Sequence, residues 1–462
     1  MNYGIWSIIP ILITLAIAFW RKNVFLALLS GIAMATAIIG AATGNFLAGL
    51  ESIPAVFTDL STTKTTIFIL MTGAIMTVVS RSGGVEGLVR YCTEKRRLVK
   101  SPIGAQLISF VLGLLLFVDG TSSIAVTALV GKPFFKKYGV PEEKLALISN
   151  STGSAVAWIV PFGSACAVLT AFFTPVAKEL GITQDPFSVV MSSVIFQFYT
   201  IALLILILVS ILFRFNIGPM KSAFNRDREF GEEYQYETRV TDKSKVLARN
   251  MIVPIGFMVA CIFAIILITG KGSLASGDGG TAVFVAGLMT LLLTGIWYIT
   301  RKITTVDEYT AWCMDGMKNM LDLVVILILA YAFGSLLSIL GTAGFLAQYA
   351  QMMPKSVMLA AGFLIATVIA YATGTSGGTA AVLVPVLVPV LVPLGIPATF
   401  VLGAIISGAV FGDQNSPISD SVILTASVTG VPIMDHVRTQ TPYTLIAWGA
   451  ALAGYLVLGF VY

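Results

Sequence analysis

"FVDGTSSIAV", Phe117 to Val126, sets an aspartate and a run of Gly, Thr and Ser inside an apolar stretch. "YATGTSGGTAA", Tyr371 to Ala381, repeats the Gly-Thr-Ser core 254 residues later without the aspartate. These two interruptions decide the fold. Segment 101–132 follows a basic loop and is followed in turn by lysines, in "GKPFFKKYGV". If 101–118 were a full span, 124–132 would have to cross back, and nine helical residues rise only about 14 Å. A re-entrant hairpin entering from the inside and turning at Asp119–Ser123 meets both constraints. By the same reasoning 356–393 is a second hairpin, entering from outside and turning at Thr373–Gly378.

The rest of the chain reads as membrane. Of its 462 residues 57% are hydrophobic and 11% charged, with a mean hydropathy of +0.92. Soluble domains carry about 25% charged residues. At about 20 apolar residues per crossing, ten spans are expected near 4–20, 25–45, 65–80, 145–171, 189–213, 250–270, 281–300, 321–340, 398–430 and 442–461. The opening "MNYGIWSIIP" reads as a retained first span rather than a cleaved leader. The net charge of +5 sits mostly in short loops, a topological signal and not a nucleic-acid footprint. Six basic residues place loop 81–100 inside, and eight basic against six acidic place connector 214–249 inside. Loops 46–64, 172–188, 271–280 and 341–355 are poor in Lys and Arg. The expectation is a multi-pass cell (inner) membrane protein with both termini outside.

The halves align. At an offset of 256, Pro133, Gly139, Pro141, Ser151 and Pro161 match Pro389, Gly395, Pro397, Ser407 and Pro417. Five spans separate the hairpins, an odd number, so the second half is inverted. The expected fold is an all-α polytopic membrane protein of about ten transmembrane helices plus two re-entrant hairpins, in two inverted-topology repeats with broken helices. The first repeat is 1–213 (hairpin 101–132, broken helix 145–171). A cytoplasmic connector, 214–249, leads to the second at 250–462 (hairpin 356–393, broken helix 398–430). Inverted repeats with discontinuous helices mark secondary transporters that bind at the midplane.

Each hairpin precedes a span with a polar interruption, "ISNSTGSAVAWIVP" (Ile148 to Pro161) and "SGAVFGDQNSPISDS" (Ser407 to Ser421). Clustered Ser, Thr and Asn compete for backbone hydrogen bonds, and Pro417 removes a donor. Freed carbonyls, hydroxyls and a carboxylate make a hard-oxygen environment suited to a small cation. Intramembrane carboxylates are functional candidates, so Asp119, Asp413 and Asp420 are the expected cation or proton couplers; helix capping is the bland alternative. Ion or substrate binding is expected among Thr121, Ser122, Asn150, Ser151, Thr152, Thr375, Ser376, Gly377, Asn415, Ser416 and Ser419, though such hydroxyls often only back-bond or aid packing. The four scattered cysteines and lone His436 give no metal or disulfide spacing. No phosphate loop, nucleophile elbow or HExxH is present, so no enzyme and no cofactor is expected beyond Na+ and H+ as coupling ions.

"FGDQNSPISDS" resembles the Gly-Asp-Lys-x-Ser-Pro-x-Ser-Asp signature of NhaC-type sodium/proton antiporters, within the wider ion-transporter superfamily. The specific match is about ten residues and carries Asp413, Ser416, Pro417, Ser419 and Asp420. The resemblance implies a secondary transporter exchanging Na+ against H+, and a homodimer. Relatives also move organic acids such as malate and lactate, or amino acids. The departure is Gln414, with Asn415 after it, where the signature has lysine. It removes a possible partner charge for Asp413 or Asp420, and suits recognition of a polar solute. The expected function is Na+/H+ antiport; the alternative is Na+- or H+-coupled transport of a small carboxylate or amino acid.

Overall fold

The computed structural model describes residues 3–21, 23–44, 60–85, 101–115, 120–160, 164–225, 247–272, 277–350 and 354–461, with positions 47, 87, 91 and 99 between them. Among these the chain forms twenty α-helices and no strand. It is an all-helical, polytopic membrane protein. After α1 (Ile9–Arg21), α2 (Val24–Thr43) and α3 (Leu60–Arg81) come α4 (Pro102–Leu115) and α5 (Gly120–Lys137). These two are antiparallel: Ser123 Oγ donates to the Gly113 carbonyl at 3.3 Å, and the space beside Gly131 is filled by Ser109. Next is a helix in two pieces, α6 (Glu142–Ile159) and α7 (Ser164–Glu179). α8 (Pro186–Ser193) and α9 (Phe198–Leu212) follow, bent by 48° across a break near Gln197.

Beyond a short α10 (Pro219–Phe224) the chain repeats this order. α11 (Arg249–Thr269), α12 (Gly279–Thr300), α13 (Val306–Lys318), α14 (Leu321–Ile339) and α15 (Thr342–Ala350) lead to a second hairpin. It is formed by α16 (Lys355–Thr373) and α17 (Ser376–Leu391), with Gly362 facing Leu387 across the arms. A second broken helix, α18 (Ala398–Asn415) and α19 (Asp420–Thr429), precedes the terminal α20 (Ile433–Val461).

The 256-residue offset is visible in the backbone itself. Both Gly139 and Gly395 adopt positive φ, at 63° and 83°. Pro141 and Pro397 start α6 and α18 with φ −56° and ψ 139° or 137°, and Val160 and Ser416 end them extended, at −83°/119° and −82°/123°. A proline one residue past each end cannot continue the helix.

Packing between hairpin and broken helix is reciprocal. In the first copy Gly113 of α4 admits Thr152 of α6; any Cβ there would overlap the threonine hydroxyl. In the second copy the small residue has changed sides: Gly408 of α18 packs against the α16 backbone at Phe363 and Thr367. The hairpins also interlock, because α5 packs on α19 of the other repeat and α17 packs on α7. This crossing brings the start of α5 and the tip of the second hairpin together beside the ends of α6 and α18.

Among the described residues, five helices are long and apolar enough to cross a membrane on their own (α2, α11, α12, α14, α20), six if the bent α8–α9 pair counts as one. Hairpin arms and half-helices fall short singly, as interrupted elements do. Three differences from expectation stand out. α5 continues past 132 to Lys137, because charged residues at a water-facing end remain helical and Pro133 is accommodated inside it. α3 begins at Leu60 rather than 65. The apolar-run rule also passes over α10, α13 and α15. Of these α13 is amphipathic and begins with a Thr305–Glu308 capping box, the two side chains each satisfying the other's backbone N–H. It packs on α3, where Arg81 pairs with Asp315 at 3.0 Å.

Candidate functional site

Asp413 lies in the last turn of α18, two residues before the break, and is 7% exposed. A carboxylate there is expensive unless donors surround it. Ser419, the N-cap of α19, donates its hydroxyl to Asp413 Oδ1, and Ser421 Oγ lies 3.3 Å from the same oxygen. The hydroxyl and backbone N–H of Ser376 also bond the carboxyl. Two helix N-termini, those of α17 and α19, therefore point their partial positive ends at one acidic group. At the tip between α16 and α17, Gly374 has φ 71°, and a Cβ would sit 3.0 Å from the Ile418 carbonyl. Glycine lets the tip rest on the break.

Residues flanking the hairpin turns and the helix breaks line a cavity of about 190 Å³. The second repeat contributes Thr375, Ser376, Gly377, Asp413, Asp420 and Ser421, and the first contributes Gly120, Thr121, Ser154, Ala157 and Trp158. Leu323, Val168 and Ile124 complete an apolar side. No Lys, Arg or His is among the described residues lining it. The Trp158 indole Nε1 donates to Ser376 Oγ at 3.2 Å, and the Trp158 backbone carbonyl accepts from Gln197 Nε2 at 2.9 Å.

Of the expected site residues, Thr121, Thr375, Ser376, Gly377, Asp413 and Asp420 meet at this cavity, with Ser419 behind Asp413. Asp119 and the side chain of Ser122 lie outside the described residues. The others sit elsewhere. Thr152 back-bonds to the Ile148 carbonyl at 2.7 Å, and Asn415 accepts from Thr444 at 2.8 Å. Ser151 and Ser416 bury their hydroxyls without a partner among the described residues. Sequence reasoning passed over Ser154, Trp158 and Ser421. All three lie within the two quoted interruptions, and the 154/157/158 spacing marks one helix face next to the break.

Asn150 belongs to a buried amide cluster behind the cavity. Its Nδ2 donates to Gln440 Oε1 and lies 3.2 Å from both that oxygen and His436 Nε2. Gln440 donates to the Gln414 carbonyl. Gln414 turns away from Asp413: it accepts from Tyr199 Oη at 2.5 Å and donates to Ser154 Oγ at 2.7 Å. Ser154 in turn donates to the Asn150 carbonyl at 2.7 Å. The residue standing where the signature has lysine thus reaches the cavity only through Ser154. Farther along α6, Lys144 is 1% exposed, bonded to Ser210 Oγ at 2.8 Å and lying over the Tyr443 ring.

Paired hairpins and broken helices around a buried carboxylate define a secondary transporter. The chain belongs to the Na+/H+ antiporter family, whose model matches residues 167–460. Along nearly its whole length it is 25% identical to an uncharacterized protein of Haemophilus influenzae, over 99% of this chain and 92% of that one. The malate-2H+/Na+-lactate antiporter of Bacillus subtilis is 34% identical over 32% of each chain. The arginine/ornithine antiporter ArcD of Halobacterium salinarum is 32% identical over 38% of this chain and 41% of its own. In fold the chain is similar to the YdaH transporter of Alcanivorax borkumensis, with TM-score 0.65 and 15% identity over 96% of this chain and 98% of that one. MtrF of Neisseria gonorrhoeae gives 0.63 and 14% over 90% and 85%.

Proposed function

We propose that the protein is an inner-membrane antiporter exchanging Na+ against H+, with Asp413 as the group that both cations share. One observation carries this reading: a buried carboxylate at a helix break, ringed by the oxygens of Ser376, Ser419 and Ser421 and next to both hairpin tips. Hydroxyl and carboxylate oxygens suit a hard cation, and a carboxylate that takes either a proton or a sodium ion cannot hold both, so one displaces the other. Repeats 1–213 and 250–462, joined by 214–249, would alternate access to it in a homodimer with both termini outside. The test uses purified protein in liposomes with an internal pH dye. A sodium jump without organic solute is expected to move protons, and Asp413→Asn to abolish the signal; a flat trace from folded wild-type protein would overturn the reading.

A second reading, cation-coupled exchange of a small organic solute, is supported by the cavity. Its volume of about 190 Å³ compares with the roughly 15 Å³ that admits one water. Its apolar side has no use for a bare ion. Two curated relatives are named as exchangers of organic solutes.

A further inference from the structure

A second cavity, of about 100 Å³, lies farther along three of the helices that line the first. α7, α14 and α17 pack on one another pairwise, and Val168, Leu323 and Gly377 place all three in the wall of the Asp413 cavity. The same helices reach the second cavity at Glu179, Gly334 and Pro385. These positions lie eleven residues on in α7 and α14, and eight on in α17. At 1.5 Å per helical residue the two cavities are about 12–17 Å apart.

The second cavity runs from an exposed mouth to a buried floor. Glu179, Ser338 and Gly341 are exposed, whereas Ile11, Pro385 and Pro389 are buried. A water needs roughly 15 Å³, so the space admits a cation with part of its hydration shell. Glu179 has no ion pair among the described residues. Thr342 donates its hydroxyl to the Ser7 carbonyl at 3.0 Å, and its oxygen can still accept. Pro389 has no N–H, so the Pro385 carbonyl lacks its helical donor. Such carbonyls are tolerated at membrane depth where they line a cavity or are buried in protein. A carboxylate, hydroxyls and a freed carbonyl suit a hard cation.

Between the cavities the packing is apolar. One turn on from the first cavity stand Phe172, Leu327 and Ala381, with Ala330 a turn beyond, all buried. Thr170, Thr174 and Thr379 in the same stretches turn their hydroxyls back onto helix carbonyls. The layer that parts the cavities thus offers an ion nothing to bind.

We infer that the second cavity is a vestibule for the coupling cation on the opposite membrane face, that Glu179 draws Na+ into it, and that the way to Asp413 opens where α7, α14 and α17 part. This rests on the sodium reading above and gives the exchange carboxylate a second mouth with its own charge. Glu179 acts by raising the local cation concentration; the exchange itself stays with Asp413.

The experiment measures sodium-driven proton movement in membrane vesicles of both orientations. Glu179→Gln should raise the half-saturating sodium concentration roughly threefold from one side of the membrane only, with the maximal rate unchanged. The difference should shrink as choline chloride is added, because the charge is exposed. Glu179→Asp, which keeps the charge, should stay close to wild type. Ser338→Cys treated with a cationic thiol reagent from that same side should lose flux, while wild type treated alike should not. Equal shifts from both sides, no shift in Glu179→Gln, or modification of Ser338→Cys without loss of flux would each overturn the inference and leave antiport at Asp413 standing. A flat sodium response from folded wild-type protein would overturn both.

Discussion

At the first break the chain reads Ala157-Trp158-Ile159-Val160-Pro161, and at the second Asp413-Gln414-Asn415-Ser416-Pro417, position for position at the 256-residue offset. The helices ending there have the same terminal dihedrals. Their side chains diverge. Ala157 and Asp413 both line the cavity, as do Ala165 and Ser421, also 256 apart. One backbone device used twice thus yields a cavity with an apolar, aromatic wall and an acidic, hydroxyl-rich one. Two acidic breaks would instead have set like charges against each other.

The sharpest way to break this comparison is to move the carboxylate. Asp413→Asn should reduce sodium-driven proton flux to background, a fall of at least about 100-fold. Adding Ala157→Asp should not restore it, because Gly163 and Ala165 stand where the second break has Ser419 and Ser421. Recovery in that double variant would mean the serine ring is dispensable.

A second test addresses the packing that makes the copies superimposable yet unequal. Gly408→Thr forces a Cβ to within 2.3 Å of the Phe363 carbonyl, and overpacking of this kind costs about 3 kcal/mol. The melting midpoint in detergent should fall clearly, and Thr367→Gly in the same molecule should not recover it, because the added Cβ meets backbone atoms of Phe363 and Thr367. Recovery would show that the α16 side chains, not its backbone, set this contact.

Smaller effects are expected from the aromatic wall. Trp158→Phe keeps the ring and removes the bond to Ser376, worth about 1 kcal/mol. Solute half-saturation should rise roughly fivefold with sodium dependence unchanged; a matching shift in sodium dependence would erase the proposed division between walls. The least effect should come from outside both breaks. On α13, hydrogen bonds from Lys318 and then Arg81 hold Asp315 below the usual carboxylate range. Its folded pKa is the lower one, so the pair adds stability above the unfolded pKa and loses it as pH falls through the folded value. The pair is exposed, so Asp315→Asn should only slightly flatten the acid side of the stability profile. Transport should not change.

Much of this arrangement could be read in the sequence because Gly and Pro dictate backbone. The matched Gly139/Gly395 and Pro141/Pro397 pairs announced the repeat, and the second Gly-Thr-Ser core announced its tip; of the turn expected at Asp119–Ser123, Gly120 to Ser123 are already helical and Asp119 lies outside the described residues. Side-chain direction was harder to read. Asn150 and Gln414 look like ligands by composition, yet helix geometry points them into the amide cluster. Ala157 and Trp158 carry no polar signal at all, so the apolar wall emerged only when the two repeats were placed face to face. The capping box at Thr305 was legible but lay outside any apolar run.

The amide cluster has an electrical consequence. Membrane voltage acts on charge, at about 2.3 kcal/mol per elementary charge per 100 mV. Asn150, Gln414, Gln440 and Tyr199 tie α6, α9, α18 and α20 together with neutral groups alone. Any displacement of these helices through the bilayer therefore carries the cluster without electrical work. Among the described residues, the charges it does act on include Asp413, Asp420 and the adjacent buried pair Glu143 and Lys144 on α6, together with the cargo. The steepness of transport against voltage accordingly reports charged groups of this kind and not the amide cluster.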